Sequence, residues 1–156
     1  MSGVASTLVG QNLGARRPER AEKSAWAASL LYGSILLLLT AAFFLFGEEI
    51  VSVFNRDPEV VRHATRLLRI TSPFYIFLAL AMVLGGALGG SGDTYPPMVI
   101  TAISLAGIQV GAALVLPGLF GLKENGVWLA IACGLTAWGS LTALWFRLGY
   151  WKQKVL

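Results

Sequence analysis

Among the residue types that do chemistry in proteins, this sequence offers one histidine, one cysteine and eight carboxylates. His63 stands on the polar side of an amphipathic stretch, far in sequence from Cys133 and with no second ligand at metal-binding spacing. It reads as a surface histidine, and Cys133 as a small apolar packing residue. No phosphate-cradling glycine loop, dinucleotide fingerprint or serine-nucleophile motif occurs. An enzyme, ATP hydrolysis included, is therefore not expected, and no cofactor or metal site is expected either. A lone cysteine builds no disulfide framework.

The placement of the charges says more. No Asp, Glu, Lys or Arg lies between Lys23 and Glu48, Arg69 and Asp93, Asp93 and Lys123, or Glu124 and Arg147. Each gap exceeds the ~20 apolar residues that a helix needs to cross about 30 Å of hydrocarbon. Hydrophobic residues make up 56% of the chain and charged ones 13%, so little is left over to cover four such helices in water. The expectation is an all-α membrane protein, one transmembrane domain over residues 1–156. Its spans lie at about 24–46, 70–92, 96–117 and 126–147, after a partial N-terminal helix too short to span. Charged residues inside a span usually mark an ion or proton pathway, and the four spans hold none short of Arg147 at the edge of the last. An acid that couples transport to an ion must then lie outside this sequence, or transport must use a different mechanism.

Within the spans, conformation and polarity single out a few residues. Gln109 is the most polar residue deep in a span, and its amide needs partners there. An interhelical hydrogen bond is the plain reading; lining a substrate cavity with Tyr75 is the functional one. Pro73 removes a backbone hydrogen bond a turn into the second span and predicts a bend near Arg69–Pro73, static or acting as a hinge. Gly85 and Gly89, Gly86 and Gly90, and Gly107 and Gly111 are spaced for close helix packing, or for a sliding contact. On the last helix, Ala130, Gly134 and Trp138 share one face while Ala132, Thr136 and Ser140 share another.

Boundary signals fill in the elements. Pro18 suits a first helical turn, with Glu19 and Lys23 at favourable i,i+4 spacing, and that helix should end near Phe46. Residues 47–56 read as a polar connection. Asp57-Pro58-Glu59 caps the next helix, whose lead-in to Arg69 is amphipathic and should lie at the headgroups. The Gly90–Pro97 hairpin and Pro117-Gly118 punctuate the rest, and a short basic tail runs from Tyr150 to Leu156. Trp26, Tyr95, Trp128, Trp145, Tyr150 and Trp151 fall near the interfaces. Residues 1–15 are no ordinary signal peptide, since their basic cluster follows the apolar part. Seven Lys and Arg flank one side (Arg16, Arg17, Arg20, Lys23, Arg147, Lys152, Lys154) against five on the other (Arg56, Arg62, Arg66, Arg69, Lys123). That bias puts the hairpin and the C-terminus in the cytoplasm. Because the cations flank spans, the expected partners are membrane lipids and not nucleic acid.

Three strings carry a family resemblance. Val9-Gly10-Gln11-Asn12-Leu13-Gly14-Ala15, followed by Arg17-Pro18-Glu19-Arg20-Ala21, resembles the end of the eighth helix and the following loop in the multidrug and toxic compound extrusion (MATE) family. Ala87-Leu88-Gly89-Gly90-Ser91-Gly92-Asp93-Thr94 with Pro96-Pro97-Met98 resembles the loop between that family's tenth and eleventh helices. Gly126-Val127-Trp128-Leu129-Ala130-Ile131-Ala132 resembles the start of its twelfth. The resemblance implies part of a six-helix lobe in a twelve-helix antiporter that exchanges Na⁺ or H⁺ for cationic, often aromatic drugs at the cytoplasmic membrane. It implies a missing N-terminal lobe as partner. It also implies a central cavity touched by Phe74, Tyr75 and Gln109. Some members hold a cation-binding acid in the tenth helix; Ile70 to Gly92 has none, so the coupling acid is expected outside this chain.

On this reading the chain alone is inactive. The alternatives are a complete four-helix protein acting as a homodimer, a subunit packing on a partner through its glycine faces, and a flippase for lipid-linked saccharides.

Overall fold

The computed structural model describes residues 1–153, among which there are helices and no strand. Lys154, counted above with the C-terminal cations, lies outside them.

α1 (Ser2–Gly14) ends in two nested backbone bonds, Arg17 N–H to the Asn12 carbonyl and Arg16 N–H to that of Leu13, each 2.8 Å. Arg16 takes a left-handed φ of 56° to allow this closure. α2 (Pro18–Phe54) starts at the expected proline but does not stop at Phe46. Phe46 departs from helical geometry (φ −124°, ψ 21°), and the helix then resumes to Phe54. The connection expected over 47–56 is thus mostly helix. Glu48 and Glu49 are good helix formers, and one glycine costs too little to end a helix.

α3 (Pro58–Thr71) has the expected cap, the Asp57 carboxylate accepting from the Glu59 N–H at 2.8 Å. A single 3₁₀ turn, Ser72–Phe74, joins it to α4 (Tyr75–Gly90). The 3₁₀ turn falls where Pro73 lacks its N–H. The Thr40 hydroxyl of α2 reaches the Ser72 carbonyl at 2.8 Å and so ties the turn to the neighbouring helix. α4 closes with Asp93 N–H on the Leu88 carbonyl (2.9 Å) and Gly92 N–H on that of Gly89 (3.1 Å). Gly92 is the residue that takes φ 79°, a conformation glycine adopts without a Cβ clash.

The third span is not a uniform α-helix. α5 (Tyr95–Thr101) passes into a π-helical stretch, Ala102–Gln109, before α6 (Val110–Val115). α7 (Glu124–Leu148) ends at Gly149 with φ 78°, and a 3₁₀ turn over Tyr150–Gln153 folds back beneath it.

Among the described residues, four helical units are long and apolar enough to cross a membrane: Pro18–Phe54, Pro58–Gly90, Tyr95–Val115 and Glu124–Leu148. α4 is central, with α1 and α2 packed on one side and α7 on the other; α7 in turn carries the Tyr95–Val115 span. The core joins Ala5 and Val9 of α1, Ala21 and Ala25 of α2, Val83, Leu84, Ala87 and Leu88 of α4, and Phe146 with Trp151. Leu30, Leu31, Leu37 and Leu38 of α2 face outward, as a lipid-facing helix surface requires.

The expected glycine packing needs a correction. Gly85, Gly89, Gly107 and Gly111 have nothing within 4 Å of the point a Cβ would occupy. Close approach occurs instead at Gly86 and Gly90, against the Ser2 and Ser6 backbone of α1, and at Gly139, against the Phe77 backbone of α4. Neighbouring positions on an α-helix point about 100° apart, so only one of the two interleaved α4 pairs can face α1.

Candidate functional site

Two open grooves flank α7, each about 530 Å³. The first is walled by Met82 and Gly86 of α4, Pro97 and Met98 of α5, and Trp138 and Thr142 of α7. Its lining is apolar except for hydroxyls. The Thr142 hydroxyl is buried with no hydrogen-bond partner among the described residues. The second groove lies between Phe74 in the bend, Ile108 in the π stretch, and the α7 face bearing Ala132, Cys133, Thr136 and Ser140. The two faces of α7 expected from spacing thus serve different surroundings: Trp138 lines the first groove, Thr136 and Ser140 the second.

The three cavity candidates do not share one lining. Phe74 lines the second groove, whereas Tyr75 and Gln109 line neither. Gln109 closes the π stretch and lies over Gly134 of α7, where a Cβ would come within 2.6 Å of its own Cβ and of its amide oxygen. The interhelical hydrogen bond expected of its amide is not found among the described residues; Gly134 offers room, not a polar partner. The π register was missed from sequence. A π turn is a register of the backbone, and residues 102–109 carry no proline to announce it.

The ends of the bundle are polar. At one end, Asp93 is buried and accepts from the Trp145 indole N–H at 3.0 Å. Lys152 meets Glu22 of α2 at 2.6 Å, half-buried. These contacts tie the hairpin to the end of α7, and the last described turn to the first turns of α2. Asp93→Ala should lower stability by about 1–3 kcal/mol, the cost of stranding a buried donor. Asp93→Asn, which keeps an acceptor oxygen, should restore most of it. Detergent-titrated unfolding read by circular dichroism checks this.

At the opposite end His63 is not simply on the surface. It sits 3.6 Å from the Glu124 carboxylate and edge-on to Trp128, at the contact of α3 with α7. Among the described residues no group of three His, Cys, Asp or Glu side chains could hold a metal ion.

Comparison with known proteins gives this architecture a family. The MatE family model matches residues 1–115. The chain is 30% identical to a "Probable multidrug resistance protein NorM" of Thermotoga maritima, an alignment over 100% of this chain and 34% of that protein. It is 33% identical to a "Multidrug resistance protein MdtK" of Yersinia pestis, over 99% of this chain and 34% of that protein. The crystal structure of the eukaryotic MATE transporter AtDTX14 superposes with a TM-score of 0.84 at 26% identity, covering 96% of this chain and 34% of that one. The chain spans about a third of the length of the relatives it matches. With four apolar helices long enough to cross a membrane and a family model matched over residues 1–115, the chain belongs to the MatE family.

Proposed function

We propose that residues 1–156 form the last part of the second lobe of a secondary active exporter. It would move cationic, often aromatic compounds out across the cytoplasmic membrane in exchange for Na⁺ or H⁺. The observation that carries this reading is the pair of apolar grooves along α7, one lined by Phe74 of the Ser72–Phe74 turn and the other walled by Trp138. Aromatic and hydroxyl side chains without a fixed charge suit varied aromatic cations, which bind through ring faces and shape. The relatives' names as multidrug resistance proteins support the same substrate class. With no carboxylate in residues 24–46, 70–92, 96–117 or 126–147, the coupling acid belongs to another part of the transporter. The hairpin, Lys152 and the basic connector face the cytoplasm, on the excess of cations at that end.

Two measurements test the proposal. An antibody against the C-terminal tail should detect in the source membrane a protein about three times the 16.7 kDa of this chain, and the membranes should extrude ethidium when energised. Extrusion unaffected by collapse of both the sodium and the proton gradient would overturn it. In that transporter Gln109→Leu, a near-isosteric change over Gly134, should alter the ratio of efflux rates between two dissimilar drugs while the amount of protein stays constant. Equal loss of protein and of every transport activity would assign Gln109 a structural role. The open faces at Gly85, Gly89, Gly107 and Gly111 favour a second reading, a subunit that packs on a partner; a native band at 16.7 kDa with a co-purifying protein would support it.

A further inference from the structure

At the end of the bundle away from the hairpin, α3 presents Arg62, Arg66 and Arg69. Their spacing of four and three residues places all three guanidinium groups along one helix face. With Glu48 of α2, Thr65 and Ile70 they line a pocket of about 330 Å³. Like charges so spaced repel one another, and the carboxylates nearby do not answer all of them. Glu59 stands 3.7 Å from Arg62, and Glu48 stands 4.0 Å from Arg69. Arg66 has no ion pair among the described residues.

Thr65 supplies a second, independent sign. It is 3% exposed, and its hydroxyl has no partner among the described residues. Five other helical threonines (Thr7, Thr40, Thr71, Thr101, Thr136) donate to the carbonyl four residues back. Thr65 and Thr142 do not, and of these two only Thr65 lies among arginines. Its methyl is taken up against Gly47 of α2, so the hydroxyl is left to a group not supplied by the protein. A buried donor beside an unpaired guanidinium calls for an oxyanion.

We propose that this pocket binds a phosphate group, carried by the headgroup of an anionic membrane lipid. Arg66 grips it through its planar fork, the Thr65 hydroxyl donates a further hydrogen bond, and Arg62 and Arg69 supply field. The Glu48 carboxylate also borders the pocket and opposes the anion, but its charge is turned toward Arg69. α3 is the amphipathic lead-in to a span, with Val60, Val61, Ala64, Leu67 and Leu68 between its polar residues. Such a helix lies at the headgroup level, where a phosphodiester is the abundant oxyanion. The site does not depend on what the transporter carries.

The test uses the full protein reconstituted in phosphatidylcholine nanodiscs, titrated with short-chain phosphatidylglycerol and read by native mass spectrometry. Inorganic phosphate at matched ionic strength is a separate arm. The wild type should retain phosphatidylglycerol, and Arg66→Ala should weaken retention about fivefold, the usual worth of one arginine near an anionic surface. Thr65→Val, which keeps the methyl against Gly47, should weaken it as well, whereas Arg147→Ala at the other end should not. Binding of the lipid without binding of inorganic phosphate assigns the site to a headgroup; binding of both assigns it to the phosphate group whatever carries it. Retention equal in wild type and Arg66→Ala, or lost equally in Arg147→Ala, overturns the proposal.

Discussion

Trp151→Ala is expected to cost the folded protein roughly 3 kcal/mol or more, in the range measured for buried Trp and Phe truncations. Trp151 has no exposed surface although it follows the end of the last span. Its ring stacks on Phe146 at 4.7 Å between centroids, and its indole N–H donates to the Phe146 carbonyl at 2.8 Å. Phe146 in turn meets Trp26 of α2 edge-on at 5.8 Å. One residue thus joins the foot of α7 to α2 through an aromatic column, and alanine would leave a void in the middle of it. The position is at the wet end of the bundle, so burial there gains the hydrophobic term that packing within lipid lacks. Trp151→Phe keeps a ring on Phe146 but loses the hydrogen bond, about 1 kcal/mol, and part of the ring volume, so it should cost less than alanine. Detergent-titrated unfolding followed by circular dichroism measures both. If alanine and phenylalanine cost the same, the column contributes nothing.

The second large effect is expected at Gly139. A Cβ there would fall on the Phe77 carbonyl oxygen and within 2.6 Å of the Phe77 Cβ and 2.7 Å of its Cα. The obstacle is mostly backbone of α4, which cannot rotate aside. α4 and α7 would have to separate, and helices in lipid associate mainly through the dispersion contact that separation destroys. Gly139→Ala should cost about 1–3 kcal/mol by overpacking. Gly139→Leu should leave little folded protein in the membrane, read as detergent-extractable monodisperse material. Gly85→Ala is the control. With open space at its Cβ, it should be neutral or stabilising by up to about 1 kcal/mol, since alanine suits a helix interior better than glycine. A destabilising Gly85→Ala in the native membrane would show that another helix covers that face, the outcome the second functional reading requires.

The second effect bears on the transport role proposed above. Gly139 lies on α7 against Phe77 of α4, and α7 side chains wall both grooves. In the proposed exporter, Gly139 variants that still fold should change which compounds are carried before they abolish efflux.

Charge placement alone determined the four spans, because a charge inside hydrocarbon costs several kcal/mol and so marks where a span cannot be. It also put the hairpin, the basic connector and the C-terminus on one side; the structure ties the hairpin to α7 through Asp93–Trp145, and the last described turn to the start of α2 through Glu22–Lys152. Local chemistry was equally readable at the Asp57 cap and at the helix break in the Gly90–Pro97 hairpin, since each depends on one residue type and its immediate neighbours. What sequence could not say was which way each helix faces. A span apolar all round has no preferred side by composition, so Gly85 with Gly89 looked as fit for packing as Gly86 with Gly90. Only the position of α1 decided between them. The same holds for the π stretch at Ala102–Gln109, for Gln109 lying over Gly134 instead of beside Phe74, and for Trp151 turning back onto Phe146. These depend on contacts between residues far apart in the chain, whose energies in lipid come from close packing and leave no period or spacing to read.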